Sequence, residues 1–560
     1  VTGLDPVSVL GVTFSIPPGT QAVVTFAMAA TDNPVTLRAV IDKHHHASTV
    51  ERASLMSATL AGIQTRPHHL YPEFLPTFQT LTTALVLSLP RLHHTLVTPP
   101  GAPPAVCDRR LLWRLSISGD RPLLLVSIGD LQGLGLLRAL VQSLGEWAHC
   151  SVPCDLVVLS DEVNSYLMPL HRELLALREQ HMASLRSMRG GGITGLHVHR
   201  TEDLSADQLS TLTQRASLCI QADGRPLHHH IRTWANVQGQ GKQGSPNATG
   251  LWRFATAAVV TAHRPVVPAQ VAKGTFDAQG CYNFECSAAK RPERPWINVL
   301  ANAGFGTQVS EAGGGHTWAL NSKLNQLTPW RNDPVADLPG EWLLLQDRRT
   351  NAVWSVSPSA WADPAVTYDV THGQGTTTIG HRRDGLSVTV TWCVDAHAAV
   401  KHIRLELVIM DNKRLHLRML AMAEWQMGEH LSDRATTVTT CLPPSPQAMR
   451  GTTLLCRQAE QSAGFGQGTA FMAMPFDHRP DLDGPDWTCD RREFFSPQGQ
   501  LQLPPHLGQH SGQGLDPCAA LARRVTLLPG QRLTQVFVLG YAATPAAAAE
   551  LAATAVQKLP

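Results

Sequence analysis

The chain has 560 residues, 16% of them charged, and a formal net charge of +2. That length suits two to four domains with sizeable cores, and the near-neutral balance excludes the basic footprint of a nucleic-acid or anionic-membrane binder. Eleven cysteines, an odd count with no CxxC pair, argue against a disulfide framework and suggest a reducing compartment.

Residues 1–30 read as a strand, a Pro-Gly turn and an alternating strand. They repeat later in the chain. Gly3-Leu4-Asp5-Pro6 opens one copy and Gly514-Leu515-Asp516-Pro517 the other, aligned without a gap at an offset of 511, with eight identities in 24 positions. Because the later copy closes a β-domain, the first residues are expected to close an earlier copy whose body is missing. The chain then reads as a segment of a longer protein or a truncated relative of one.

From 31 to 94 the apolar spacing is helical, with a break at Arg66-Pro67, and 98–106 is a Pro-rich linker. Region 107–222 alternates strands (Pro122–Ile128, Asp155–Leu159, Ile193–His199, Ala216–Ile220) with helices (Leu131–Trp147, Ser165–Arg186, Ser205–Gln214). That order predicts a small α/β layer on a parallel sheet. Gly129, Gly133 and Gly135 follow its first strand without dinucleotide or P-loop spacing, so the layer is assigned no chemistry. Residues 223–294 read as a loop-rich connection. From 295 to 541 short alternating strands such as Ser387–Trp392, His402–Ile409 and Leu415–Glu424 predict a large antiparallel β-sandwich, and 542–560 opens an Ala-rich helix. No run of eighteen apolar residues and no signal peptide is present. Two His triplets, 44–46 and 228–230, and the pairs Cys150/Cys154 and Cys281/Cys286 lack the geometry or partners for a metal.

Asn302–Trp342 is the most informative stretch. It holds three Trp and four Asn, suited to stacking on pyranose faces and bonding hydroxyls, although a Trp is more often core. The candidate sugar-binding residues are Trp318, Asn321, Ser322, Trp330, Asn332 and Asp333. The run Thr317-Trp318-Ala319-Leu320-Asn321-Ser322, then Leu327-Thr328-Pro329-Trp330-Arg331-Asn332-Asp333-Pro334, then Pro339-Gly340-Glu341, resembles the signature of the glycoside phosphorylases of glycoside hydrolase family 94. It is most similar to the copy in cyclic β-1,2-glucan synthases, whose pattern reads roughly GYTWAGNSRENxLTPWSNDPVSDPPGE. The resemblance extends through Pro295–Val299, Trp354-Ser355, Ala423-Glu424-Trp425 and Gly514–Ala520. Leu112–Pro122 is similar to the family's LWxxGISGDLP element. Against the pattern, His316 stands for Tyr, Leu320 for Gly, and Lys323-Leu324 for Arg-Glu.

The resemblance implies the family's super-sandwich, followed in the intact protein by an (α/α)6 barrel that carries the catalytic acid and phosphate pocket. No residue of this chain is therefore expected to be catalytic. It also implies a β-1,2-glucan ligand, no cofactor beyond inorganic phosphate as co-substrate, and an oligomer contact or cleft border at the sandwich loop. A parent on the cytoplasmic side of the bacterial inner membrane is implied, with spans outside this segment. A carbohydrate-binding or scaffolding module without turnover is the alternative.

Overall fold

The computed structural model describes residues 7–65, 74–86, 106–163, 167–187, 193–239, 270–287, 290–359, 362–442, 451–463, 467–475, 486–495 and 501–557. The expected helix break at Arg66-Pro67 and most of the 98–106 linker lie outside them. The chain divides into two units, 1–73 and 74–560.

In the first unit, 7–30 differs from the sequence expectation. The Pro-Gly turn is there, with Gly19 at φ +76° matching Gly530 at +71° and Thr20 N donating to Pro17 O as Gln531 N donates to Leu528 O. No strand forms, and Leu10, Phe14, Phe26 and Met28 are exposed. The physical reason is pairing. The later copy lies between strands of two sheets, whereas 7–30 has no ladder partner among the described residues, and a lone hairpin in water is marginal. Two helices follow, α1 (Pro34–His44), capped by the Asn33 side chain on Val35 N, and α2 (Ala47–Thr65).

The second unit begins with α3 (Leu75–Val86) and the α/β layer. Strands β1 (Leu123–Ile128), β2 (Cys154–Ser160), β3 (Thr194–Arg200) and β4 (Ala216–Gln221) form a parallel sheet in the order β3-β2-β1-β4. Helices α4 (Leu134–His149), α5 (Pro169–Ser187) and α6 (Ala206–Arg215) connect them. Every residue of β2 is buried, as a strand covered on both faces requires. Leu124, Val126, Leu156 and Val158 pack on one face, and Leu123, Leu125, Val157 and Leu159 on the other. Ser205 opens α6 with a capping box closed by Gln208. The stretch expected to be loop-rich contains a helix, α7 (Leu227–Gly239), whose Leu227, Ile231 and Trp234 join the first of these cores with Leu81 and Leu85 of α3. Its apolar residues sit at i, i+4 and i+7, a spacing hidden by three consecutive histidines.

The rest is a two-sheet antiparallel sandwich. Ten strands run in the order 437–442, 451–458, 469–475, 532–542, 400–409, 386–394, 376–383, 368–373, 282–286 and 275–276. Five more run in the order 353–355, 341–347, 415–424, 517–527 and 486–490. Alternating inward residues of both sheets build one core, including Val388, Val390, Leu405, Leu407, Met419, Leu521 and Phe537. A third, three-stranded sheet (313–319, 305–310, 298–301) carries the aromatic motif at one end. Helix α8 (Pro545–Gln557) buries Ala548, Ala552 and Val556 on the outer face of the large sheet.

Candidate functional site: an aromatic platform over a buried ion pair

Strand Gly313–Ala319 pairs with Phe305–Ser310, placing Gly306 opposite Trp318 and Thr307 opposite Thr317. The Trp318 indole lies across Gly306, where any Cβ would sit 2.4 Å from the ring, so only glycine fits beneath it. Strand alternation puts His316 and Trp318 on one face and Thr317 on the other. Trp330, arriving from the following loop, completes a ladder: His316 lies 5.0 Å from Trp318 and 5.9 Å from Trp330, the latter stacked at 21°. His316 is 4% exposed, while Trp330 keeps 51% of its surface open. Both imidazole nitrogens face carbonyl oxygens, Nδ1 that of Thr328 and Nε2 that of Ser322, each at 3.2 Å. Burial lowers the His316 pKa, which favours a neutral ring that donates through one nitrogen only.

Beneath the platform, Thr317 meets a buried charge pair. Lys401 has no exposed surface and its ammonium binds Glu341. Lys401 Nζ also donates to Thr317 Oγ1 at 2.7 Å and Thr307 Oγ1 at 3.2 Å, and Thr317 Oγ1 donates to Glu341 Oε1 at 2.5 Å. Burial depresses the Lys401 pKa, with the Glu341 charge opposing it.

The loop is held by its own polar side chains. Asn321 Oδ1 accepts from Lys323 N and Leu324 N, and Asp333 Oδ1 from Val335 N and Ala336 N. Those two amide bonds hold the Asp333 carboxyl below its usual range. Of the sequence-predicted residues, the structure therefore brings Trp318 and Trp330 together through His316, and Ser322 joins by its backbone carbonyl. Asn321 and Asp333 face their own turns. Asn332 is exposed at φ +48°. Lys323, in place of the pattern's Arg, reaches Glu429 at 3.3 Å on the surface.

Two departures from the pattern show themselves in the backbone. Leu320 stands for Gly and sits at φ +64°, and Ser116 stands for the Gly of the upstream element and sits at φ +60°. The left-handed turns persist without the residue that makes them cheap.

Sequence reasoning missed the ion network at the loop's base. Arg331 binds Glu424 Oε2 at 2.7 Å, and Glu424 is fully buried. Arg491 reaches Glu424 Oε1 at 3.6 Å and Asp516 Oδ2 at 2.9 Å, and Arg434 also binds Asp516. Burial works to raise the Asp516 pKa, but Arg434 and Arg491 overcome it and hold it low. Glu424 and Asp516 belong to the separated runs Ala423–Trp425 and Gly514–Ala520. The signal was present as recurring charges in distant motifs, without any cue that they meet.

A two-sheet antiparallel sandwich with a third, three-stranded sheet at its side is the architecture of a super-sandwich domain. Residues 281–558 match the family model "Glycosyl hydrolase 94, supersandwich domain", and this part of the chain belongs to that family. The chain is similar to the cyclic beta-(1,2)-glucan synthase NdvB of Rhizobium meliloti (strain 1021), at 26% identity over 561 residues, covering 97% of this chain and 19% of that protein. It thus spans about a fifth of that relative's length. It is also similar to N,N'-diacetylchitobiose phosphorylases of Vibrio furnissii and Vibrio proteolyticus, at 35% and 31% identity over 81 residues, 14% of this chain and 10% of each relative. Among solved structures, a putative aldose 1-epimerase from Escherichia coli K12 aligns over 44% of this chain and 99% of its own at 9% identity, with a TM-score of 0.26 that is too low to define a shared fold. No helix among the described residues is long and apolar enough to cross a membrane.

Proposed function

We propose that this region is the non-catalytic sugar-recognition part of a larger cyclic β-1,2-glucan synthase-like enzyme, and that Trp330 is its stacking face for β-1,2-glucan. The observation that carries the reading is the ladder Trp318–His316–Trp330, rigid at its base and open at its tip. A flat, held aromatic face costs little entropy to present and suits the apolar face of a pyranose. Asn332 and the Ser322 hydroxyl flank it as exposed polar groups.

The absence of turnover rests on the carboxylates around the platform. Glu341 is tied to Lys401, Glu424 to Arg331, and Asp333 to two backbone amides. Glycoside cleavage needs two carboxyls facing each other across the sugar at roughly 5–9.5 Å, one of them able to give up a proton; Glu341 and Glu424 are ion-paired in the interior, and the exposed Asp333 is held ionised by its amide bonds. Glucosyl transfer or phosphorolysis, with inorganic phosphate as co-substrate, belongs on this reading to other parts of the parent, including a barrel, at the cytoplasmic side of an inner membrane. The test is product analysis of the chain incubated with linear and cyclic β-1,2-glucans, with and without phosphate. Sugar retention without shortened glucan or sugar phosphate is expected. Turnover that survives repurification and falls in a variant of one of these carboxylates would overturn the reading.

A further inference from the structure

The α/β layer is bolted to the sandwich through one carboxylate. Glu460, 1% exposed, accepts from Arg109 N at 2.9 Å, Arg215 Nη1 at 2.8 Å and Ser462 Oγ at 2.7 Å. Arg215 also donates to Gly119 O at 2.7 Å. Burial pushes the Glu460 pKa up, yet these donors outweigh it and hold the carboxyl low. Beside this bolt lies a small polar concavity of about 70 Å³, open to solvent and lined by Arg109 and Arg215 from the layer and by Glu429, His430, Asp433 and Ser462 from the sandwich. Packing has not filled it, although it sits where two bodies meet, a common position for ligand sites.

Its donors are unevenly committed. Arg215 and Ser462 are spent on Glu460. Asp433 Oδ2 accepts from His430 N at 2.9 Å. Among the described residues the Arg109 guanidinium pairs only with the surface residue Asp120, at 3.3 Å and 70% exposed. The largely open His430 ring accepts from the Asp433 backbone as a cap and lies 3.7 Å from Glu429 Oε2, and Glu429 Oε1 meets the exposed Lys323 at 3.3 Å. Such exposed pairs are weak and exchange readily. Glu429, Arg109 and His430 thus offer an acceptor and planar donors around one opening, the mixture that binds vicinal hydroxyls.

One side chain links this opening to the platform. Gln326 Oε1 accepts from Trp330 N at 3.1 Å, while its Nε2 donates to Glu429 O at 3.3 Å. Gln326 N and O also pair with Gly428. The two features are a single glutamine apart.

We infer that bound glucan extends from Trp330 to this joint, the two being tied beneath the surface by the buried Gln326, and that Arg109, Glu429 and His430 form a second sugar subsite there. The α/β layer then supplies a binding residue, Arg109. This rests on the Trp330 platform being a glucan surface. A chain of a few sugars occupies the platform alone, and a longer chain also reaches the joint.

The test is calorimetric titration of the whole chain with size-fractionated linear β-1,2-glucooligosaccharides, using the unmodified protein and Arg109→Ala. The Arg109 bond to Glu460 comes from its backbone, so the substitution leaves the bolt in place, and Glu429→Gln serves as a second variant. Affinity of the unmodified chain should rise with sugar length. Arg109→Ala should cost about tenfold for long oligosaccharides and nothing for the shortest that binds, a loss worth about 1.4 kcal/mol. Identical affinities of both variants and the unmodified chain at every length would overturn the second subsite and leave the platform standing. No binding of any oligosaccharide to the unmodified chain would overturn both.

Discussion

Replacing Lys401 by Met removes an ammonium from the core while nearly keeping its volume. Glu341 is then left buried with the Thr317 hydroxyl, and Thr328 Oγ1 farther off at 3.4 Å, as its side-chain partners. Removing one partner of a buried pair typically costs ~3–5 kcal/mol. A second route gives a similar figure. A lone buried carboxylate escapes its charge by taking up a proton, at ~1.4 kcal/mol for each pH unit above an unfolded value of about 4.3, hence about 4 kcal/mol near pH 7 and about 1 kcal/mol near pH 5. In the variant the native state holds the extra proton, so its stability falls as pH rises through that window. Urea unfolding followed by tryptophan fluorescence reports mainly the sandwich, which carries nine of the 13 tryptophans, from Trp296 to Trp487. Lys401→Met/Glu341→Gln should recover at least half of the loss at about pH 7. A penalty below about 1 kcal/mol, or one independent of pH, would refute the reasoning that a buried charge pair supports the strand bearing His316 and Trp318.

Two further variants read strain and burial directly. Leu320→Gly and Ser116→Gly should each stabilise by ~0.5–1 kcal/mol, because relief of a left-handed backbone (~1–2 kcal/mol) exceeds glycine's entropic cost (~0.5–1 kcal/mol); a destabilisation by either in urea titration would count against the backbone described. Glu311 is 8% exposed, and burial raises its pKa to about 7, against the opposing bond from Trp296 N. A carboxyl raised in the native state makes stability fall between about pH 4.5 and 7, so Glu311→Gln should remove ~3 kcal/mol of that decline. Parallel pH profiles for the two proteins would contradict it.

Much of this architecture was legible from residue pattern. The four parallel strands and the long sandwich strands emerge within a residue or two of where alternation and apolar runs put them, because burial on one or both faces writes itself into the sequence. Helix α7 was not legible, since His228-His229-His230 interrupt its apolar spacing. Residues 7–30 carry a strand's pattern without a strand's partners, and pattern alone cannot supply a ladder. At the candidate site, the two tryptophans singled out by type and spacing meet through His316, a residue the sequence marked only as a departure from the family pattern. Asn321 and Asp333 were singled out by the same chemistry that makes them good caps, and a sequence does not tell which amides an acceptor will meet. The Arg331–Glu424 and Arg491–Asp516 contacts join residues up to 93 positions apart, a separation that only the sandwich topology closes.

The most direct test of the central claim is calorimetric titration of linear β-1,2-glucooligosaccharides into the intact chain and its Trp330→Ala variant. Trp330 is half exposed, so the variant should fold and unfold like the parent. Saturable binding in the parent, weakened about tenfold or more in the variant, is expected for a stacking face worth about 1–2 kcal/mol. Equal affinity in the two proteins would contradict the assignment of Trp330, and no heat from either at millimolar sugar would contradict the sandwich as a glucan surface.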